Sequence, residues 1–69
     1  MRTTKNVSII EEYGFRVMNN YQEVGDFGSL GKAEEKAFEI AKQENKGVRY
    51  NTDFYKATIS AEKVSNWKY

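Results

Sequence analysis

The chain has 69 residues, of which 30% are charged and 39% are hydrophobic, and its formal net charge is +1. This composition is typical of a folded domain and not of a disordered tail, and the length predicts a single domain over residues 1–69 with a small core. A net charge so close to zero gives no overall attraction to phosphates, so nucleic acid could be bound only by a local basic patch.

Two residue types that support much of enzyme chemistry are missing. The sequence contains no histidine and no cysteine. It therefore lacks a side chain whose ordinary pKa suits proton transfer at neutral pH, and it lacks both imidazole and thiolate metal ligands. Gly25, Gly28 and Gly31 precede Lys32 and a helical pattern, but this spacing matches neither the Walker pattern nor the dinucleotide fingerprint. We expect no enzyme activity, no cofactor and no metal.

The absence of cysteine also bears on the compartment, because it gives no indication of an oxidising environment. The apolar run from residue 7 to residue 10 is too short for the central region of a signal peptide, and no run is long enough to span a membrane. These features predict a cytoplasmic protein without a membrane segment.

The first part of the chain has the period of two that is typical of strands. Residues 7–17 alternate in hydrophobicity, which predicts either two short strands or one strand with a bulge at Gly14. Asn19 and Asn20 then predict a tight hairpin turn, because asparagine tolerates left-handed backbone conformations. The register of such a turn places Met18 opposite Tyr21, Val17 opposite Gln22, Arg16 opposite Glu23 and Phe15 opposite Val24.

The pattern changes to a helical period after residues 25–31, a glycine-rich connection from which Phe27 is expected to enter the core. Residues 30–46 predict an amphipathic helix, with Ser29 as its N-cap and Gly47 as a left-handed C-terminal cap. Its apolar stripe comprises Leu30, Ala33, Ala37, Ile40 and Ala41, with Phe38 at the edge. Its opposite, solvated face comprises Lys32, Glu35, Glu39, Lys42 and Lys46.

A second hairpin follows, with a predicted three-residue turn at positions 51–53. This turn places Tyr50 opposite Phe54. It puts Val48, Tyr50, Lys56 and Thr58 on one face, and Arg49, Tyr55, Ala57 and Ile59 on the other. Only one face can take the helix, so the exposed pair is either Tyr55 with Arg49 or Tyr50 with Lys56.

The complete pattern predicts an α+β fold. We expect a small antiparallel sheet with one amphipathic helix packed on it, in the order ββαββ. Residues 61–69 fit either a short helical turn, with Ala61, Val64 and Trp67 on one side, or a strand that frays. An exposed edge of the sheet would allow homodimerisation or the addition of a partner's strand.

Function is predicted from the C-terminal third, which combines aromatic residues with four basic and two acidic side chains. The candidate binding residues are Arg49, Tyr50, Tyr55, Lys56, Lys63, Trp67 and Lys68. Tyrosine, tryptophan and arginine anchor protein interfaces, so we expect a non-catalytic module that occludes a surface of a larger protein, as small accessory or phage-type inhibitors do. The alternative is a small nucleic-acid-binding regulator, because the same side chains stack on bases and pair with phosphates.

Overall fold

The computed structural model describes residues 3–67, and the α+β class expected from the sequence is confirmed. The elements are β1 (Asn6–Glu11), β2 (Phe15–Asn19), β3 (Gln22–Phe27), α1 (Leu30–Glu44), β4 (Gly47–Asn51), β5 (Lys56–Ile59) and α2 (Ala61–Ser65). The N-terminal pattern thus forms two strands, and the C-terminal segment forms a short helix. Among residues 3–67, no helix combines the length and the apolar composition needed to cross a membrane.

The five strands form one mixed sheet in the order β3-β2-β1-β4-β5. Strands β1 and β4 are parallel and the other neighbours are antiparallel, so the prediction of an antiparallel ββαββ sheet is wrong at this pair. The number of strands before the helix explains the difference. Two hairpins separate β1 from β3, which therefore run in the same direction, and α1 returns the chain so that β4 also runs in that direction. Two strands before the helix would have made the central pair antiparallel.

The β2–β3 hairpin is present, but its turn is one residue later than predicted. Asn20 and Tyr21 have φ angles of 53° and 64°, as a two-residue turn of the primed type requires. Met18 therefore lies opposite Glu23, and a bulge at Val24 then shifts the remaining pairs so that Phe15 lies opposite Phe27. The predicted pairing of Phe15 with Val24 is wrong, because the later turn and the bulge together bring Phe27 opposite Phe15.

Both helices pack on the same face of the sheet and form one core with it. The buried side chains are Val7, Ile9, Val17, Ala33, Ala37, Phe38, Ala41, Val48, Tyr50 and Val64. Phe27 packs against this core from the end of β3, as expected. The alanine spacing of four lets the axis of α1 lie close to the strands.

The start of α1 is as predicted and its end is not. The Ser29 side chain accepts a hydrogen bond from the Lys32 backbone N–H at 3.4 Å. Asn45, with φ of 55°, provides the left-handed C-cap, and Gly47 is already the first residue of β4. A Cβ atom at Gly47 would collide with the Asn6 side chain and the Ile59 carbonyl, so close strand packing explains this glycine. Lys46, predicted on the solvated helix face, is outside the helix and buried.

The β4–β5 hairpin also differs from its predicted register. Asn51 pairs with Lys56 and Tyr50 pairs with Ala57, which leaves a four-residue loop at positions 52–55. Buried Thr52 closes this loop, because its hydroxyl accepts from the Tyr55 N–H at 3.0 Å and donates to the Tyr55 carbonyl at 2.8 Å. The additional loop residue turns Ala57 towards the helix and Lys56 away from it. Neither predicted exposed pair forms.

The second face of the sheet carries neither of the helices described in residues 3–67. Paired residues of neighbouring strands share a face, so the register assigns its members. We call this surface the open face; it comprises Asn6, Ser8, Ile10, Arg16, Met18, Glu23, Asp26, Arg49, Asn51, Lys56 and Thr58.

Candidate protein-binding site

An apolar groove lies on the helix side of the molecule, between the first turns of α1, the β4–β5 loop and the residue that follows α2. Its volume is about 340 Å³. We call it the aromatic groove; it is lined by Leu30, Glu34, Tyr50, Phe54, Tyr55, Ile59 and Trp67. Three different elements thus bring four aromatic rings to one surface.

Tyr50 forms the buried base of the groove, because β4 points its side chain towards α1 and leaves it only 4% exposed. Its ring meets that of Tyr55 edge to face, with centroids 5.1 Å apart at an angle of 77°. The Tyr50 hydroxyl donates a hydrogen bond to the Glu34 carboxylate. These contacts satisfy the polar end of a buried tyrosine and hold the carboxylate at the groove.

Phe54 and Tyr55 form the exposed wall of the groove, and their side chains are 68% and 48% exposed. The Thr52 hydrogen bonds close the loop that carries them. At the tip of the loop, the Asp53 backbone N–H donates to the Glu11 carboxylate at 3.0 Å, which ties the loop to the end of β1. The two rings are therefore held in water by an ordered turn, which lowers the entropy cost of binding a partner.

Trp67 closes the other end of the groove and is 39% exposed. Its ring stacks on the buried ring of Phe38, with centroids 5.1 Å apart and an interplanar angle of 17°. The Trp67 backbone N–H donates to the Val64 carbonyl at 3.0 Å, and the Trp67 backbone carbonyl accepts from the Lys42 ammonium. The short helix α2, capped by Ser60, thus positions the indole against α1.

The structure brings together some of the predicted site residues and separates others. Tyr50, Tyr55 and Trp67 line the aromatic groove. Arg49 and Lys56 lie on the open face of the sheet, on the side opposite to the groove. Lys63 is exposed on α2 and does not line the groove, and Lys68 lies outside the described residues.

Sequence reasoning missed four lining residues, among them Phe54 and Glu34. Phe54 was expected opposite Tyr50 in a ladder, and only the closed loop shows that it stands in solvent beside Tyr55. The sequence did contain a signal for the part of the groove that α1 forms. Leu30 and Glu34 are four residues apart, so they lie on the same side of the helix.

The chemistry of the groove suits apolar contact more than catalysis. Glu34 is its one charged lining residue, and the other six are aromatic or aliphatic. Within residues 3–67, no group of three acidic side chains is placed to hold a metal ion. The arrangement offers an apolar recess for an inserted side chain and one carboxylate that can accept a hydrogen bond.

No protein-family model, no curated protein and no solved structure matches this chain.

Proposed function

We propose that the protein is a non-catalytic protein-binding module whose contact surface is the aromatic groove. It acts by covering a surface of a larger protein, as a small accessory or phage-type inhibitor does. The observation that carries the proposal is the exposure of Phe54 and Tyr55 on a hydrogen-bonded loop. Large aromatic side chains held in water beside a recess are the usual anchors of protein interfaces.

The distribution of charge supports a protein partner over nucleic acid. Stacking on bases is productive when basic side chains beside the aromatic rings pair with the phosphates. The charged residue at the groove is the carboxylate of Glu34, whereas Arg49 and Lys56 are on the other side of the sheet. A phosphate backbone laid along the groove would be repelled by the Glu34 carboxylate.

The test compares three single variants in binding a captured partner. The tagged protein is used to isolate partners from a lysate, and the partner is then purified and titrated against each variant. We expect Phe54→Ala and Tyr55→Ala each to raise Kd about tenfold or more, as hot-spot truncations do. Tyr13→Ala is the matched control, because Tyr13 is a fully exposed tyrosine in the β1–β2 turn and does not line the groove.

Two further readouts make the result decisive. Circular dichroism spectra of all three variants should match the wild type, since the replaced rings are exposed. Equal affinity of Phe54→Ala, Tyr55→Ala and Tyr13→Ala would contradict the proposed contact surface. Capture that disappears after nuclease treatment would instead support the nucleic-acid regulator.

A further inference from the structure

The open face of the sheet changes its charge from one edge to the other. Near β3, the Arg16 guanidinium is surrounded by the carboxylates of Glu12, Glu23 and Asp26, at 3.6, 2.8 and 3.5 Å. Three negative charges around one positive charge leave this side acidic.

The opposite side of the open face is basic. Arg49 on β4 and Lys56 on β5 are both exposed there. Between the two charged sides, β1 and β2 present Ile10 and Met18, which are half-buried. A shallow depression of about 290 Å³ borders these two apolar side chains, and the basic residues Lys5 and Arg49 also line it. The face therefore has an acidic side, an apolar centre and a basic side.

The register aligns these residues in two rows across all five strands. Each row runs from β3 through β2, β1 and β4 to β5. The first row consists of Glu23, Met18, Ser8, Arg49 and Thr58. The second row consists of Asp26, Arg16, Ile10, Asn51 and Lys56. Strand β1 is at the centre of the sheet, so the acidic and basic sides are equally distant from it.

We propose that two copies of the chain form a dimer through their open faces, with the two-fold axis in the interface and parallel to β1. A rotation about this axis exchanges the two sides of the sheet, so β3 of one copy lies over β5 of the second copy. Asp26 then faces Lys56 of the second copy, Glu23 is one strand away from Arg49 of the second copy, and the two Ile10 side chains meet at the axis. A surface with this gradient is complementary to itself.

The dimensions of the molecule are compatible with such a dimer. The molecule measures 29 × 29 × 17 Å, which sets an upper limit of 29 Å on each dimension of the open face. A standard interface buries about 800 Å² on each partner, so the dimer would use most of this side of the molecule. The charged residues would form the polar rim, and Ile10 and Met18 the apolar centre, as in other interfaces.

The sheet edges are less suited to dimerisation than this face. Edge strand β3 contains the bulge at Val24 and two carboxylates, and edge strand β5 has only four residues and begins with Lys56. Bulges, charges and short strands are features that prevent strand addition at an edge. The sequence predicted homodimerisation through an exposed edge of the sheet, and the proposed dimer uses the open face as its interface instead.

The test is a pair of charge reversals measured by sedimentation equilibrium. One variant carries Arg49→Glu with Lys56→Glu, and the other carries Glu23→Lys with Asp26→Lys. Each places like charges opposite each other at both ends of the interface, and we expect each to raise the dimer Kd on the order of a hundredfold. An equimolar mixture should dimerise again, because each reversed side then meets a complementary one.

Matched control variants on α1 distinguish the effect of charge reversal at the interface from the effect of a changed net charge on dimerisation. Glu35→Lys with Glu39→Lys, and Lys32→Glu with Lys36→Glu, make the same charge changes on the outward side of the helix. Both controls should dimerise like the wild type. The wild-type dimer should also weaken as salt is added, because exposed charge pairs are screened.

Several results would overturn the proposal. A wild-type chain that remains monomeric at every soluble concentration contradicts it, and so does a reversal variant that is folded and dimerises as tightly as the wild type. If both variants are folded but their equimolar mixture does not dimerise, the dimer uses another surface. If the acidic-side reversal does not fold next to Arg16, Glu23→Gln with Asp26→Asn replaces it, and an unchanged Kd in that variant also contradicts the proposal.

Discussion

At the scale of single residues, Lys46 is a buried charged side chain that joins several elements. It follows α1, and its side chain is 8% exposed. Its ammonium donates to the side-chain oxygens of Asn19 at 2.6 Å and Asn20 at 2.7 Å, and lies 3.1 Å from the Glu44 carboxylate. Asn20 also accepts the Thr4 backbone N–H at 2.9 Å. One cation thus ties the end of the helix to the β2–β3 turn.

Replacement of this cation should destabilise the fold. Lys46→Met keeps most of the apolar stem but removes the donor to the Asn19 oxygen and one of two donors to the Asn20 oxygen, and such losses cost about 1 to 3 kcal/mol. Chemical denaturation should therefore give a lower free energy of unfolding. Lys36→Met is the control, because exposed ion pairs such as that of Lys36 with Glu39 contribute less than about 1 kcal/mol. Equal stability of the two variants would show that the network is dispensable.

The same cluster predicts a response to pH. The hydrogen bond from Lys46, with a further one from Asn19, lowers the pKa of the Glu44 carboxyl below its ordinary value. A lowered pKa in the folded state stabilises the protein above the ordinary pKa, and that contribution is lost as the pH falls through the lowered value. The free energy of unfolding of the wild type should therefore fall more on acidification than that of Glu44→Gln. Parallel pH profiles would exclude this linkage.

At the scale of elements, the β2–β3 turn has a residue that does not match its backbone. Tyr21 has φ of 64° and is exposed, and a left-handed conformation is costly for residues with a Cβ atom. We expect Tyr21→Gly to raise the free energy of unfolding by about 0.5 to 1 kcal/mol, because relief of the left-handed strain exceeds the additional backbone entropy that glycine loses on folding. We expect Tyr21→Val to lower it. Denaturant melts at low protein concentration measure both effects. A reversed order would mean that contacts of the tyrosine ring dominate over backbone strain.

The short helix α2 depends on the contact that Trp67 makes with Phe38. Removal of the indole uncovers a fully buried ring, so Trp67→Ala should lower the free energy of unfolding by about 2 kcal/mol or more. Trp67→Phe should retain most of the stability, because an aromatic ring can still stack there. Thermal melts followed by circular dichroism compare the two, and equal melting temperatures would contradict this role. For the same reason, Phe54 and Tyr55 are better probes of partner binding than Trp67.

At the scale of the whole molecule, the sheet and the helices form two layers, and one candidate surface lies on each side of the molecule. The aromatic groove lies on the helix side, and the graded open face lies on the other side of the sheet. Substitutions on distant surfaces with no shared partner are expected to act independently. Phe54→Ala should therefore leave the dimer Kd unchanged, and the Glu23 and Asp26 reversal, on the far edge of the sheet, should leave partner affinity unchanged. Coupled effects in titration and sedimentation would show that the two surfaces communicate.

The sequence by itself determined the local features of this protein: helix α1 with its Ser29 cap, the asparagine hairpin and the lack of histidine and cysteine. These follow from periods and side-chain chemistry within a few residues. Only the tertiary structure decided that β1 pairs in parallel with β4, that Tyr50 is buried, and that Arg49 faces away from Tyr55. The parallel pairing depends on the three strands that precede α1, and the period of two cannot count them. The other two features depend on which face of β4 meets α1 and on the extra residue in the Thr52 loop, since a shift of one exchanges the two faces of a strand. Packing against α1 and the Thr52 hydrogen bonds select that register, and the alternating pattern alone cannot.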